Sequence, residues 1–129
     1  MPERWPLGWR LVPEERASLL ERFPPRWPDV IADHVTFASR VEPEPALPTA
    51  VSGEIIGRVD DGAGIEAMIV RIGDTTDRPD GSTWHITWSL DRQAGRRAVE
   101  SNDIIARLPW TPIEPMTVTL VPAVLKVSS

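Results

Sequence analysis

The chain contains two histidines, and each is followed two places later by a threonine: His34-Val35-Thr36-Phe37 and His85-Ile86-Thr87-Trp88. In an extended strand, residues i and i+2 share a face. Each segment is therefore expected to project an imidazole and a hydroxyl side by side, while its apolar residues turn into a core. Facing each other over a phosphodiester, two imidazoles can divide the work of proton transfer. The neutral one takes a proton from an attacking water or hydroxyl, and the protonated one gives a proton to the leaving oxygen. The ordinary imidazole pKa of about 6.5 keeps both forms accessible near neutrality. Hydroxyls of Thr36 and Thr87 would donate to the non-bridging phosphate oxygens as charge builds there. Such a site needs neither metal nor organic cofactor, and none is expected.

Two other uses of the histidines stay open on residue types alone. Each ring can be a satisfied core residue on a buried strand, although two copies of one pattern weigh against that. A metal site would need a third ligand from scattered Asp or Glu, and no two-histidine helical spacing is present.

Strands must carry both motifs. Val30 to Ser39 is expected to be the first and Trp84 to Leu90 the second, with the mixed stretch at residues 5–12 allowing a short strand before them. Pro13 followed by Glu14-Glu15 opens a helix with an apolar stripe of Ala17, Leu19, Leu20 and Phe23, and Pro24-Pro25 ends it. Glu42-Pro43-Glu44-Pro45-Ala46-Leu47-Pro48 reads as an extended loop. Val51 to Val59 and Ile65 to Ile72, joined by Asp60-Asp61-Gly62-Ala63-Gly64, make an antiparallel hairpin. The polar stretch Gly73 to Gly81 leads as a loop into the second motif. Asp91 to Arg97 holds a turn, Ser101 or Asn102 caps a short helix running to Leu108, and Met116 to Val127 is β-rich.

At 129 residues, with 41% hydrophobic and 26% charged residues, the chain is expected to form one domain, 1–129, with a real core. No apolar run is long enough for a bilayer, and Met1-Pro2-Glu3-Arg4-Trp5 lacks the order of a signal peptide, so a cytoplasmic, membrane-free monomer is the expectation. With no cysteine there is no thiol nucleophile, thiolate metal site or disulfide framework. The net charge of -5 gives no support to salt-driven binding of long nucleic acid, leaving a small ligand or an RNA end as the fitting partner. No glycine-rich phosphate loop ends in Lys-Ser/Thr, which sets P-loop hydrolysis aside.

Thirteen arginines stand against one lysine, Lys126. Arg40 follows the first motif and Arg92, Arg96 and Arg97 the second, so Arg40 and Arg92 are candidate phosphate ligands, weighed against a plain role as solvated loop charges. Trp84 and Trp88 share the face opposite His85 and Thr87 and are assigned to the core. Trp5, Trp9, Trp27 and Trp110 remain open as base-stacking candidates.

The paired segments resemble the two His-apolar-Thr/Ser-apolar signatures of the two-histidine (2H) phosphoesterase superfamily. That group includes bacterial 2'-5' RNA ligase-like proteins, plant cyclic phosphodiesterases and the cyclic phosphodiesterase domain of fungal tRNA ligases. The resemblance implies a bilobed α+β fold with antiparallel sheets, two short helices and a central cleft, each motif lying on a strand of one lobe. It implies metal-independent hydrolysis of a 2',3'-cyclic phosphate, on an RNA end or a nucleotide, to a 2'-phosphate, as in RNA repair. His34 and His85 would be the acid/base pair, with Thr36 and Thr87 on the phosphate. The histidines lie only 51 positions apart, so the lobe between the motifs would be a short one. A module that holds a nucleotide or RNA-end phosphate without turnover is the alternative, and a partner-binding domain with no phosphate chemistry is a third.

Overall fold

The computed structural model describes residues 5–41 and 47–125. The chain is α+β. Its strands are β1 (Trp5–Leu11), β2 (Asp29–Val30), β3 (His34–Val41), β4 (Ser52–Asp60), β5 (Ile65–Arg71), β6 (His85–Leu90) and β7 (Thr111–Val124), and its helices are α1 (Pro13–Arg22) and α2 (Ser101–Arg107). The strands join in one seven-stranded sheet of order β2-β6-β5-β4-β7-β1-β3, and every pairing is antiparallel. No helix among the described residues is long and apolar enough to cross a membrane.

Local chemistry accounts for most elements. Helix α1 starts with Pro13 at its head, has Glu14 and Glu15 in its first turn and Arg22 in its last, which suits the helix dipole. The β4–β5 hairpin closes where Gly62 and Gly64 take positive φ and the Asp60 and Asp61 carboxylates accept from backbone N–H groups of Gly62, Ala63 and Ile65. Helix α2 differs from expectation in its start. Residues 98–100 form a 3₁₀ turn ahead of it, and Ser101, rather than capping, is buried with its hydroxyl on Thr87.

Topology closes the sheet on itself. The two outermost strands, β2 and β3, are separated by residues 31–33 alone, so the sheet's two edges must meet. The expected single strand over 30–39 is thus broken, and its halves serve opposite edges. Ahead of the break, the backbone N–H groups of Ile31 and Ala32 continue the β2–β6 pairing by donating to the carbonyls of Trp88 and Thr87, both at 2.9 Å. After it, β3 leaves for β1. Ala32 turns the corner with φ of 40°, a left-handed value uncommon for a residue with a Cβ. Arg16 of α1 secures that corner by donating to the carbonyls of Ala32 (2.8 Å) and Ile31 (3.1 Å), and the Leu11 N–H donates to the Asp33 carbonyl.

One face of the rolled sheet encloses the main core, which includes Trp9, Val35, Ile55, Met68, Val70, Trp84, Ile86, Trp88, Val118 and Leu120. Its aromatic centre ties β1 to both motifs: Trp9 meets Phe37 and Trp84 edge-on, at 5.8 and 5.3 Å between centroids, and Phe37 stacks on Trp84. A second cluster, Val59, Ile65, Ala67, Ile69 and Leu90, lies beneath Ile104 of α2.

Close approach of β1 to β3 requires Gly8, where a Cβ would stand 2.0 Å from the Val35 carbonyl oxygen, an atom of backbone that cannot swing aside. Gly8→Ala is expected to destabilise the fold by about 2 kcal/mol or more, read as a lower urea midpoint. A midpoint equal to the parent's would mean that the two strands are not so tightly apposed.

Candidate functional site

Strand geometry sorts the motif side chains as their alternation predicts. Val35, Ile86 and Trp88 are buried in the main core with Phe37 packed against it, and His34 begins β3 as His85 begins β6. The two rings are brought together by register. Residues 29–32 run antiparallel to residues 90–87, and His34 follows two positions after that run, just past the turn at Ala32. The rings are close enough for a charge on His34 to disfavour a charge on His85.

Each ring has its Nδ1 held by a protein oxygen. In His85, Nδ1 lies 2.8 Å from the Thr83 carbonyl oxygen. A carbonyl only accepts, so Nδ1 carries the hydrogen and, in the neutral ring, Nε2 is left with its lone pair. In His34, Nδ1 lies 3.1 Å from Asp33 Oδ2, which also accepts from Arg10 Nη1 at 2.8 Å. Arg10, Asp33 and His34 thus form a short hydrogen-bonded chain between β1 and the start of β3.

Identical motifs acquire different acidities from these surroundings. Burial pushes the His85 pKa down to about 4, the Thr83 carbonyl opposing and the charges of Arg78 and His34 assisting. His34 is also lowered from its ordinary value by burial, but the Asp33 hydrogen bond and charge pull the other way, with Arg10 lowering it slightly. His85 is therefore neutral at any pH near 7, while His34 has a carboxylate that favours its charged form.

The threonines part company. Thr36 lies half-buried on β3 opposite Gly8. The Thr87 hydroxyl is 2.8 Å from Ser101 Oγ and 3.4 Å from the Ala98 carbonyl oxygen, so it is engaged with the start of α2. Among the proposed phosphate arginines, Arg40 lies on β3 but its side chain falls outside the described set. Arg92 sits beyond the opposite end of β6 from His85, exposed, with its backbone N–H on Asp29. The structure does not bring it to the histidines. Of the aromatic candidates, Trp9 is core and not available to a base. Trp27 carries the Arg26 guanidinium over its ring and donates to Asp60, Trp110 packs on Gly57, and the side chain of Trp5 is not described.

Three neighbours escape a motif-based reading. Asp33 is adjacent to His34 in the chain and could have been noticed as an acid next to a base. Ser101 offered no signal beyond its place at a helix start. Arg78, in the loop before the second motif, is only 5% exposed. Its guanidinium lies over the Trp84 ring, 5.8 Å from the centroid, and its charge reaches His85. Burial lowers the Arg78 pKa, with the charge of Asp80 opposing. Among the described residues, no group of three or more His, Cys, Asp or Glu side chains converges as a metal site would.

Comparison of the chain with protein-family models, with curated proteins and with solved structures found no match. The likeness to two-histidine phosphoesterases accordingly rests on the two motifs.

The depressed pKa of His85 ties stability to pH. The unfolded chain protonates this ring at about pH 6.5 and the folded chain only at about 4. Between those values the unfolded state binds more protons, so stability falls as pH drops, by about 3 kcal/mol in total. Denaturant melts across this window should show that slope, and His85→Gln should flatten it. An equal slope in the variant would place the titrating group elsewhere.

Proposed function

We propose that the chain is a metal-independent phosphodiesterase that hydrolyses a 2',3'-cyclic phosphate, on an RNA end or a nucleotide, by acid/base catalysis between His85 and His34. One observation carries the reading: two neighbouring imidazoles each have Nδ1 tied to a fixed oxygen, of Thr83 and Asp33. Both Nε2 atoms are thereby left for a substrate, and the environments differ in the direction that separates a base from an acid.

In this scheme, neutral His85 accepts through Nε2 the proton of a water attacking phosphorus. The bond from phosphorus to O3' breaks, and protonated His34 gives its Nε2 proton to O3', leaving a 2'-phosphate and a free 3'-hydroxyl. Proton exchange with solvent restores the starting state. Asp33 holds the charged form of His34, and Arg10 holds Asp33. Thr36, beside His34 on the same face of β3, donates to the phosphate. Thr87 keeps β6 against α2 through Ser101 instead. Arg92 is not part of the phosphate site in this reading.

The implied bilobed architecture has a counterpart in the pairing pattern. β1 and β3 pair at one end of the sheet and β2, β4, β5 and β6 at the other, with long β7 pairing to both β1 and β4. In this reading the two ends would be the lobes that each carry one motif strand. A cleft between them would take the substrate, with the protein acting as a cytoplasmic monomer. A second reading, retention of a nucleotide or RNA-end phosphate without turnover, is favoured by the depth of His85, 8% exposed, and by the engaged hydroxyl of Thr87.

Hydrolysis of 2',3'-cyclic AMP in EDTA tests the proposal, with the product isomer resolved by chromatography. His34→Ala and His85→Ala should each lose on the order of 100-fold or more while remaining folded. The kcat/KM profile should be a bell on the acid side of neutrality. It rises as His85 loses its proton above about pH 4 and falls as His34 loses its own below the ordinary value. Tight binding of 2'-AMP by a wild-type protein that turns over nothing would select the binding reading.

A further inference from the structure

We propose that Arg78, stacked on Trp84, forms with the indole N–H of that residue an oxyanion site that seats the non-bridging oxygens of a phosphoryl group at the loop leading into His85. The inference rests on the phosphodiesterase reading for what the anion is, but not for the existence of the site.

Polar satisfaction points to this place. Among the described residues, the buried side-chain nitrogen and oxygen atoms without a hydrogen-bond partner are Arg78 Nε, Arg78 Nη2 and Trp84 Nε1. All are donors, and all belong to one stacked pair of side chains. Elsewhere among the described residues, buried side-chain polar groups are satisfied. The carboxylate of Glu66, 1% exposed, accepts from the Ser89 hydroxyl, the Arg26 N–H and the Arg58 guanidinium. Buried charge without a partner is costly, and buried donors are almost always matched. Three unmatched donors, two of them on one guanidinium cation, define the complement they lack: an anion with several acceptor oxygens. The planar fork of an arginine presents Nε–H and Nη2–H in parallel to two such oxygens, as phosphate offers.

The loop holds Arg78 in place for this role. The Arg78 N–H donates to the Ser82 carbonyl at 2.7 Å and its carbonyl accepts from Gly81 at 2.8 Å, closing a turn with Pro79 at its second position. Asp77 pairs with Thr83, and the Trp84 N–H donates to the Thr76 carbonyl. The same loop supplies the Thr83 carbonyl that orients His85. Among the described residues, the carboxylate whose charge bears on Arg78, that of Asp80, is turned to the backbone N–H and hydroxyl of Ser82. Asp77, Pro79, Asp80 and Gly81 are exposed, so the guanidinium hangs inward from a surface turn through which a ligand can be admitted.

Calorimetric titration with inorganic phosphate, alongside acetate as a carboxylate control, tests the site without reference to turnover. Wild type should bind phosphate more tightly than acetate. Arg78→Met should weaken phosphate at least tenfold, Arg78→Lys should recover part of the loss, and Arg92→Met, beyond the far end of β6, should stay within a few-fold of wild type. Without phosphate, Arg78→Met should melt no lower than wild type, because a charge lacking a partner has been removed from the interior. Absence of phosphate binding by wild type, or a large fall in melting temperature in both Arg78→Met and Arg78→Lys without phosphate, would overturn the site and assign Arg78 to the fold. Neither result bears on the acid/base reading, which stands or falls with His34→Ala and His85→Ala in the cyclic AMP assay.

Discussion

Closure of the sheet by residues 29–34 is the constraint on which the rest depends. One short segment first pairs with β6 and then with β1, so it supplies the last ladder at two edges that would otherwise lie open. That dual service cannot be given by a straight strand. The chain must turn at Ala32, and the left-handed backbone there is held by Arg16 from one side and by two hydrogen bonds to β6 from the other. Because His34 begins immediately after the turn, the interaction that closes the fold also delivers the first imidazole to the second. The aromatic cluster of Trp9, Phe37 and Trp84 packs the same junction from inside.

Two copies of one motif end up electrically unequal because their flanks differ. His85 follows a buried tryptophan and is itself buried, so its neutral form prevails, with the charges of Arg78 and His34 assisting and the Thr83 carbonyl opposing. His34 follows an aspartate that is itself fixed by Arg10. Low polarity amplifies both effects, since the same burial that penalises a charged imidazole strengthens the carboxylate's hold on it. A symmetric pattern thereby becomes a pair with distinguishable proton affinities, which is what acid/base work requires.

Stability and site chemistry are drawn from different parts of the molecule. Among the described residues, the hairpin β4–β5 and helix α2 match their buried side-chain polar groups, including the buried Glu66 cluster. The loop between β5 and β6 leaves donors of Arg78 and Trp84 unmatched at one spot. A fold can carry such a local deficit only where the surrounding frame is secure, and here the frame is a seven-stranded antiparallel sheet whose outermost strands are joined by residues 31–33.

The sequence by itself determined what depends on near neighbours in the chain. Helix α1 was legible from Pro13, Glu14 and Glu15, the β4–β5 hairpin from its Asp and Gly residues, and the inward course of Val35, Ile86, Trp84 and Trp88 from alternation, because each rests on backbone preferences and periods that act over a few residues. Only the tertiary structure decided the rest: the break of the first motif strand at Ala32, the capture of Thr87 by Ser101, the burial of Trp9, the distance of Arg92 and the approach of Arg78. Each of these is set by a partner many positions away, through register and closure of the sheet. Residue type and local spacing carry no record of such pairings, so the strand setting of the motifs and their inward apolar faces could be read in advance, while their neighbours and their unequal acidities could not.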